Sequence, residues 1–287
     1  MAVTFDCRAI ADEFLDWVQQ AEDRLGFSPC LATVLFKPRA GAGSEKYRNL
    51  ILKDAETLGL EAKSLEADDE EELVKMIAKL NKDSSVNGVM VFYPIGGRKS
   101  DEEIMDLVSP YKDVEGLHSL NLGYLIKYKR FLDESLGVKC VIPATAKAVV
   151  KTIQHASIPI AGSFVVIVNN SMRVGKPLGL MLENLGATVV KCYDKTKPGD
   201  LEHCVRRGDI LVTAVPDIQF MLNPSWVKRG AVVMDVSYQG NVDVAALEDS
   251  ASCVTSPQNR IGQVTRAMMF VNLIYCAQNQ ASTAPKV

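Results

Sequence analysis

SFVVIVNNSMRVGKPLGLMLENLGATVVKCYD, residues 163–194, decides how this chain is read. SFVVIV (163–168) is a short apolar run with the β-branched character of a buried strand. NNSMRVGKP (169–177) is a polar turn, PLGLMLENLG a helix opened by proline, and TVVKCYD (188–194) a second strand. Strand, polar turn, helix, strand is one half of a dinucleotide-binding fold, in which a pyrophosphate sits at the N-terminus of the helix. Only Gly175 and Gly179 remain of the usual glycines, and Asn169–Asn170 stand where another is expected. Asparagine tolerates turn geometry better than most residues, so the turn can still form. The bare motif also fits an ordinary strand–turn–helix crossover. Asp194 ends the next strand, where an acid accepts hydrogen bonds from the 2′-hydroxyl of NAD and repels the 2′-phosphate of NADP. A solvated acid at a strand end is the competing reading.

The same alternation extends outward. ILVTAV (210–215) and AVVMDV (231–236) read as further strands downstream. Upstream, LATVLF (31–36), a stretch near 61–66 and GVMVFYP (88–94) read as strands. Helical patterns lie at 7–25, from Ser44 as cap to about Leu58, at 70–82, and from DEEIMDLVSP (101–110). Alternating strands and helices imply crossover units and a mostly parallel sheet. PATAKAVVKTIQHA (143–156) is a helix joining two regions, and a last helix from about Val264 to Gln278 is apolar enough to pack back on the first. The expectation is an α/β chain of two domains. One comprises 1–145 with the C-terminal segment 264–287, and the other, Rossmann-like, spans 146–263.

The chain has 287 residues, enough for two domains, with 47% hydrophobic and 23% charged residues. Its 32 basic and 35 acidic side chains leave a net charge of −3 with no long run of either sign, which gives no electrostatic reason to expect nucleic acid or an anionic membrane as partner. The 7 cysteines are scattered without a CxxC pair, and 3 histidines leave little for a metal site. Buried, reduced thiols in a cytoplasmic protein are the simplest reading. Asp6, Asp12 and Glu13 come early with no basic and apolar leader, and no apolar stretch approaches the ~18 residues of a membrane span.

Several elements, in this order, resemble the methylenetetrahydrofolate dehydrogenase/cyclohydrolase family over nearly the whole chain. Ser44-Glu45-Lys46-Tyr47 is similar to its S-x-x-Y, and GVMVFYPI (88–95) to its V-Q-L-P-L-like strand end. KDVEGLHSLNLG (112–123) is similar to K-D-V-D-G-x-x-x-x-N-x-G, and VIPATAK (141–147) to P-C-T-P-K. NNSMRVGKP resembles G-R-S-x-x-V-G-x-P, and IGQVT (261–265) the late V-G-P-M-T. The resemblance implies a folate-binding first domain, a nucleotide-binding second domain and a cleft between them. It makes Tyr47 the ring that packs on folate and Glu115 the acid that hydrogen-bonds the pterin, and these two are the candidate catalytic residues. Phe92, Tyr93, Pro94 and Ile51 join them on the substrate side, and Thr145 and Lys147 border the cleft. The nucleotide residues are Asn169, Asn170, Ser171, Arg173, Val174, Gly175, Asp194 and Thr265.

The departures from the family pattern carry the finer expectation. Bifunctional members place a lysine, thought to assist hydrolysis of the methenyl product, four residues after the tyrosine. Here that position is Ile51. Lys53 points ~160° away around the helix, and Arg48 cannot deprotonate. The family's glutamine is Phe92. Asn170 replaces an arginine and Asp194 a small polar residue, which favours NAD over NADP. The chain is therefore similar to the monofunctional, NAD-dependent type, expected to oxidise 5,10-methylenetetrahydrofolate without cyclohydrolase activity. Ile51→Lys is then expected to gain hydrolysis or slow oxidation. The same fold acting on a methanopterin-type carrier, or a catalytically idle folate- or nucleotide-binding relative, remains open. The family commonly forms dimers, so a homodimer is expected, with no metal.

Overall fold

A computed structural model of the chain describes residues 2–256 and 260–283. In chain order, β1 (Val3–Thr4), α1 (Cys7–Asp23), β2 (Cys30–Phe36), α2 (Ala42–Leu58), β3 (Glu61–Ala67), α3 (Glu70–Lys82) and β4 (Gly88–Val91) come first. They are followed by α4 (Asp101–Met105), α5 (Ser119–Ile126), β5 (Phe131–Asp133), β6 (Val138–Lys139) and α6 (Ala144–His155). The rest comprises β7 (Phe164–Val168), α7 (Gly175–Asn184), β8 (Thr188–Cys192), α8 (Pro198–Arg207), β9 (Ile210–Thr213), β10 (Val232–Asp235), β11 (Cys253–Val254) and α9 (Gly262–Thr283). The chain forms two compact units, residues 1–12 with 145–265, and residues 13–144 with 266–287.

The first unit is built on a parallel sheet in the order β1-β11-β10-β9-β7-β8. Its central strands are continuous apolar runs because both faces are covered, as parallel sheets require. Chain order reverses between β7 and β9. Such a reversal opens a crevice beyond the carboxyl ends of the two strands, the usual ligand position in open α/β sheets. Residues 2–12, expected in the first domain, belong to this unit: Val3 and Thr4 pair with Cys253 and Val254 and close the edge of its sheet. A two-residue strand has no periodicity to read, and only the long-range pairing reveals where it belongs.

The second unit contains the parallel sheet β3-β2-β4, with α2 and α3 as crossovers. β2 is buried at every position, and Val34, Val89 and Val91 form a core with Leu73, Ile77 and Leu80 of α3. Helix α3 is capped by Asp69, whose carboxylate accepts from the Glu72 N–H at 2.8 Å. Helix α2 starts earlier than its sequence suggests. Gly41 is the N-cap and Ser44 lies one turn in, its Oγ accepting the Gly41 N–H at 3.0 Å. Ser44 thus fills the reciprocal position of the capping pattern. Helix α9 is apolar on nearly all sides and correspondingly buried, with Phe270 at its centre. Its Asn272 donates to the Val114 and Ile142 carbonyls at 2.9 Å each, and Asn279 exchanges hydrogen bonds with the Lys139 backbone. It begins at Gly262, two residues before Val264, and residues 284–287 of the expected C-terminal segment lie outside the described residues.

All seven cysteines are free thiols. Burial pushes Cys7, Cys140 and Cys192 up to about 12, whereas Cys204 and Cys253 are part-exposed. A thiol reacts as its thiolate, so at pH 8 the buried three carry only ~10⁻⁴ of the reactive form. Native protein titrated with a thiol reagent at pH 8 is expected to label Cys204 and Cys253 first and the others only on unfolding. Rapid native labelling of Cys7 or Cys140 would contradict this.

Candidate active site

At the carboxyl end of β7, the turn is organised by one side chain. Asn169 Oδ1 accepts from the Ser171 N–H and hydroxyl at 2.8 Å each and from the Gly175 N–H at 2.9 Å. Its Nδ2 donates to the Ala214 carbonyl beyond β9 at 2.7 Å, bridging the two strands between which chain order reverses. Ser171 Oγ in turn accepts from the Val174 N–H at 3.2 Å. Gly175 closes the turn so tightly that a β-carbon there would lie 2.2 Å from the Asn169 carbonyl oxygen. Asn169 therefore replaces a turn glycine by supplying hydrogen bonds, a role that residue type alone did not disclose. The turn, the start of α7 and the exposed Arg173 are a set of donors that fits a dinucleotide pyrophosphate.

The other nucleotide-side residues are less uniform. Asn170 and Val174 are half-buried in the turn. Asp194 is not the last strand residue, because β8 ends at Cys192; it lies in an exposed bend, its carboxylate 3.0 Å from Lys195. Thr265 is half-buried and its hydroxyl donates to the Ile261 carbonyl just before α9, 3.2 Å away.

In the other unit, Tyr47 on α2 meets Phe92 edge to face, with ring centres 6.4 Å apart. Phe92, Tyr93 and Pro94 lie beyond the end of β4 and not within it, and Tyr93–Pro94 is a cis peptide. Phe92 is buried, Tyr93 packs against the sheet core and Pro94 is exposed. Burial pushes the Tyr47 hydroxyl well above its ordinary pKa. The Arg266 guanidinium pulls it down, while Glu115 and Asp54 push it up. Ile51, expected on the substrate side, is 0% exposed and is a core residue. Arg48 is engaged elsewhere, its NH2 donating to Glu66 at 2.8 Å.

Glu115 is held by a structural turn. Asp113, itself buried, accepts from the Gly116 N–H at 2.9 Å, the His118 N–H at 2.8 Å and Asn121 Nδ2 at 3.2 Å. Gly116 has φ +70° and lies where a β-carbon would be 2.6 Å from the Ile142 backbone, so only glycine carries the chain through. Lys112 donates to the Leu80 and Asp83 carbonyls at 2.9 and 2.7 Å, which makes it structural as well. Glu115, between the buried Asp113 and Gly116 in the chain, is half-buried.

Two residues went unnoticed in the sequence. Arg266, the first residue after Thr265, donates from Nε to Asp54 Oδ2 at 2.5 Å, with side chains 15% and 23% exposed. An arginine at the start of an otherwise apolar helix was the available signal. Among the described residues no group of histidine, cysteine and acidic side chains could hold a metal ion, and no helix is long and apolar enough to cross a membrane.

Comparison with known proteins agrees with this geometry in both units. Residues 5–115 match the model of the tetrahydrofolate dehydrogenase/cyclohydrolase catalytic domain, and residues 143–281 that of the NAD(P)-binding domain. The bifunctional protein FolD of Thermotoga sp. (strain RQ2) is 36% identical over 284 residues, covering 96% of this chain and 98% of the relative. Bifunctional protein FolD 2 of Geobacter sulfurreducens is 32% identical, covering 98% and 99%. Among solved structures, a 5,10-methylenetetrahydrofolate dehydrogenase from the silkworm Bombyx mori has a TM-score of 0.86 at 28% identity, covering 98% and 99%. The NAD-dependent 5,10-methylenetetrahydrofolate dehydrogenase of Saccharomyces cerevisiae shares the fold with a TM-score of 0.89 at 24% identity, again covering 98% and 99%. With a dinucleotide turn in one unit, an aromatic–acid site in the other and a family model matching each, the chain belongs to the tetrahydrofolate dehydrogenase/cyclohydrolase family.

Proposed function

We propose that this protein oxidises 5,10-methylenetetrahydrofolate to 5,10-methenyltetrahydrofolate with NAD and leaves the product unhydrolysed. The observation that carries the reading is the face of α2 that presents Tyr47. One turn on, the side chain is Ile51, fully buried, and the ring beside Tyr47 is Phe92. Neither can donate, accept or carry a proton, so these two positions supply no group to help add water to the product. The relatives quoted above include bifunctional proteins, and the proposal rests on these two side chains. When bound, NAD supplies the hydride acceptor. The protein's part is orientation. Tyr47 and Phe92 offer an aromatic surface to the pterin, Glu115 accepts from its N–H groups, and the Asn169 turn holds the pyrophosphate. Asp194 takes the ribose hydroxyls and repels a 2′-phosphate. A homodimer in the cytoplasm belongs to the same reading, and the free thiols support a reducing setting.

The test is an absorbance assay with 5,10-methylenetetrahydrofolate and NAD or NADP in parallel, followed by decay of the methenyl band. Turnover with NAD, little with NADP and no accelerated decay is the expected result. Accelerated decay would show that another group assists hydrolysis. Absence of turnover with either nucleotide would remove the dehydrogenase reading. Asp194→Ser is expected to improve kcat/KM for NADP by about three- to ten-fold, because it removes a repelling charge and frees Lys195 for a phosphate. The effect is limited by the exposure of Asp194, and an unchanged NADP to NAD ratio would exclude it from discrimination.

A further inference from the structure

Tyr47, Ile51 and Asp54 recur along α2 at the spacing that puts side chains on one face. Asp54 receives Arg266 from α9 on that face, and its separation from Tyr47 is about two helical turns. Nε of Arg266 donates to Asp54 Oδ2 at 2.5 Å. The Arg266 side chain is 15% exposed and that of Asp54 23%. In Arg48, by comparison, Nε and NH1 are buried without a hydrogen-bond partner. Arg266 is thus a permanent cation, steadied by a carboxylate and not fully buried. Glu115, whose charge also reaches the Tyr47 hydroxyl, is the neighbouring acceptor. A donor and an acceptor beside an aromatic pair complement the edge of a lactam ring, where a carbonyl oxygen stands next to N–H groups.

We infer that Arg266 is a folate-binding residue of this chain, donating to the lactam oxygen of the pterin while Asp54 holds its guanidinium in place. The inference rests on the folate reading above. It gives the site a donor that cannot release a proton, so the substrate is gripped without a group able to serve as acid or base. The interaction is made in the ground and transition states alike, so its loss raises KM and leaves kcat nearly unchanged.

The experiment compares Arg266→Met, Arg266→Lys and Asp54→Asn in the full-length protein. The substrates are 5,10-methylenetetrahydrofolate and the corresponding methylenetetrahydropteroate, which lacks the glutamate. Unfolding is followed in parallel. Arg266→Met is expected to raise KM for both substrates about ten- to thirty-fold, the loss of one charge-assisted hydrogen bond. Arg266→Lys is expected to recover part of that loss, and Asp54→Asn, which keeps the cation, to raise KM less. Equal effects of Arg266→Met and Asp54→Asn, tracking a loss of stability, would reduce the pair to a structural clasp and overturn the inference. An effect confined to the glutamate-bearing substrate would overturn the lactam assignment. If Arg266→Met fails to fold, Arg266→Lys with unaltered KM has the same force. No turnover by the unaltered protein is a different result, because it removes the folate reading and not Arg266 alone.

Discussion

Gly175→Ala is expected to raise the dissociation constant for NAD by at least thirty-fold, on the order of 2 kcal/mol. A β-carbon at Gly175 would stand 2.2 Å from the Asn169 carbonyl oxygen, 2.5 Å from its carbonyl carbon and 2.8 Å from Oδ1. Two of these atoms are backbone and the third is the acceptor that holds the turn, so none can rotate away. Room for a methyl group comes only by opening the turn, which stretches the bonds from Asn169 to Ser171 and Gly175 and the bridge to Ala214. Overpacking of this kind costs about 1–3 kcal/mol. Much of that falls on the nucleotide, since the displaced backbone is the surface the pyrophosphate approaches. The other glycine of the motif provides the contrast. A β-carbon at Gly179 would meet Lys191 Nζ at 3.1 Å, the mobile end of a long side chain. Gly179→Ala is therefore expected to change affinity by less than about three-fold, the cost of a rotamer adjustment. Titration of NAD-type nucleotide by fluorescence, with thermal unfolding alongside, separates the two. Equal behaviour of the two variants would mean that the turn is not held as tightly as Asn169 and Gly175 indicate.

That contrast marks what could be read from the sequence. Both glycines are visible in the motif, and residue type ranks them alike. Their difference lies in what stands opposite each one. Strands such as β7 and helices such as α3 were legible because local chemistry decides them. β7 is a β-branched run, and α3 has an acid at its cap and leucines at helical spacing. Ser44 was legible as a helix-start residue but misplaced, because the same hydroxyl serves a helix from either end of the capping pattern. What escaped was decided at long range. β1 joins β11 across almost the whole chain, Asn169 reaches Ala214, and Asp54 meets Arg266 from a helix whose apolar character hid its one charged residue near the start. The candidate site was therefore read as a set of ligand-facing types, while the hydrogen bonds that hold those types in place needed the fold.

Ile51→Lys is expected to destabilise the protein by about 3–5 kcal/mol, the scale of an unpaired buried charge, and to gain no hydrolysis of methenyltetrahydrofolate. The resemblance alone suggested a gain, because the position is a lysine in bifunctional relatives. In this chain Ile51 is 0% exposed and fills a space shaped for a branched apolar side chain. An ammonium there loses its hydration, and the nearest carboxylate along the helix face, Asp54, is already bound to Arg266 at 2.5 Å. Desolvation depresses the lysine pKa, by up to several units when burial is complete. Much of the introduced amine is then neutral at pH 7, and the adjacent Phe92 offers it no polar partner. The sign of the pH dependence follows. The unfolded chain keeps its lysine charged up to about pH 10 while the folded chain sheds the proton earlier, so the penalty is greatest below the depressed folded pKa. Between that pKa and pH 10 it shrinks by about 1.4 kcal/mol per pH unit. Urea unfolding of wild type and variant at pH 7 and pH 9.5 checks this, with methenyl decay followed at pH 7. The destabilisation is expected to be smaller at pH 9.5. A variant as stable as wild type at both pH values, with hydrolysis increased ten-fold or more, would mean that position 51 opens onto the substrate, and the buried isoleucine could then no longer account for a dehydrogenase that leaves its product intact.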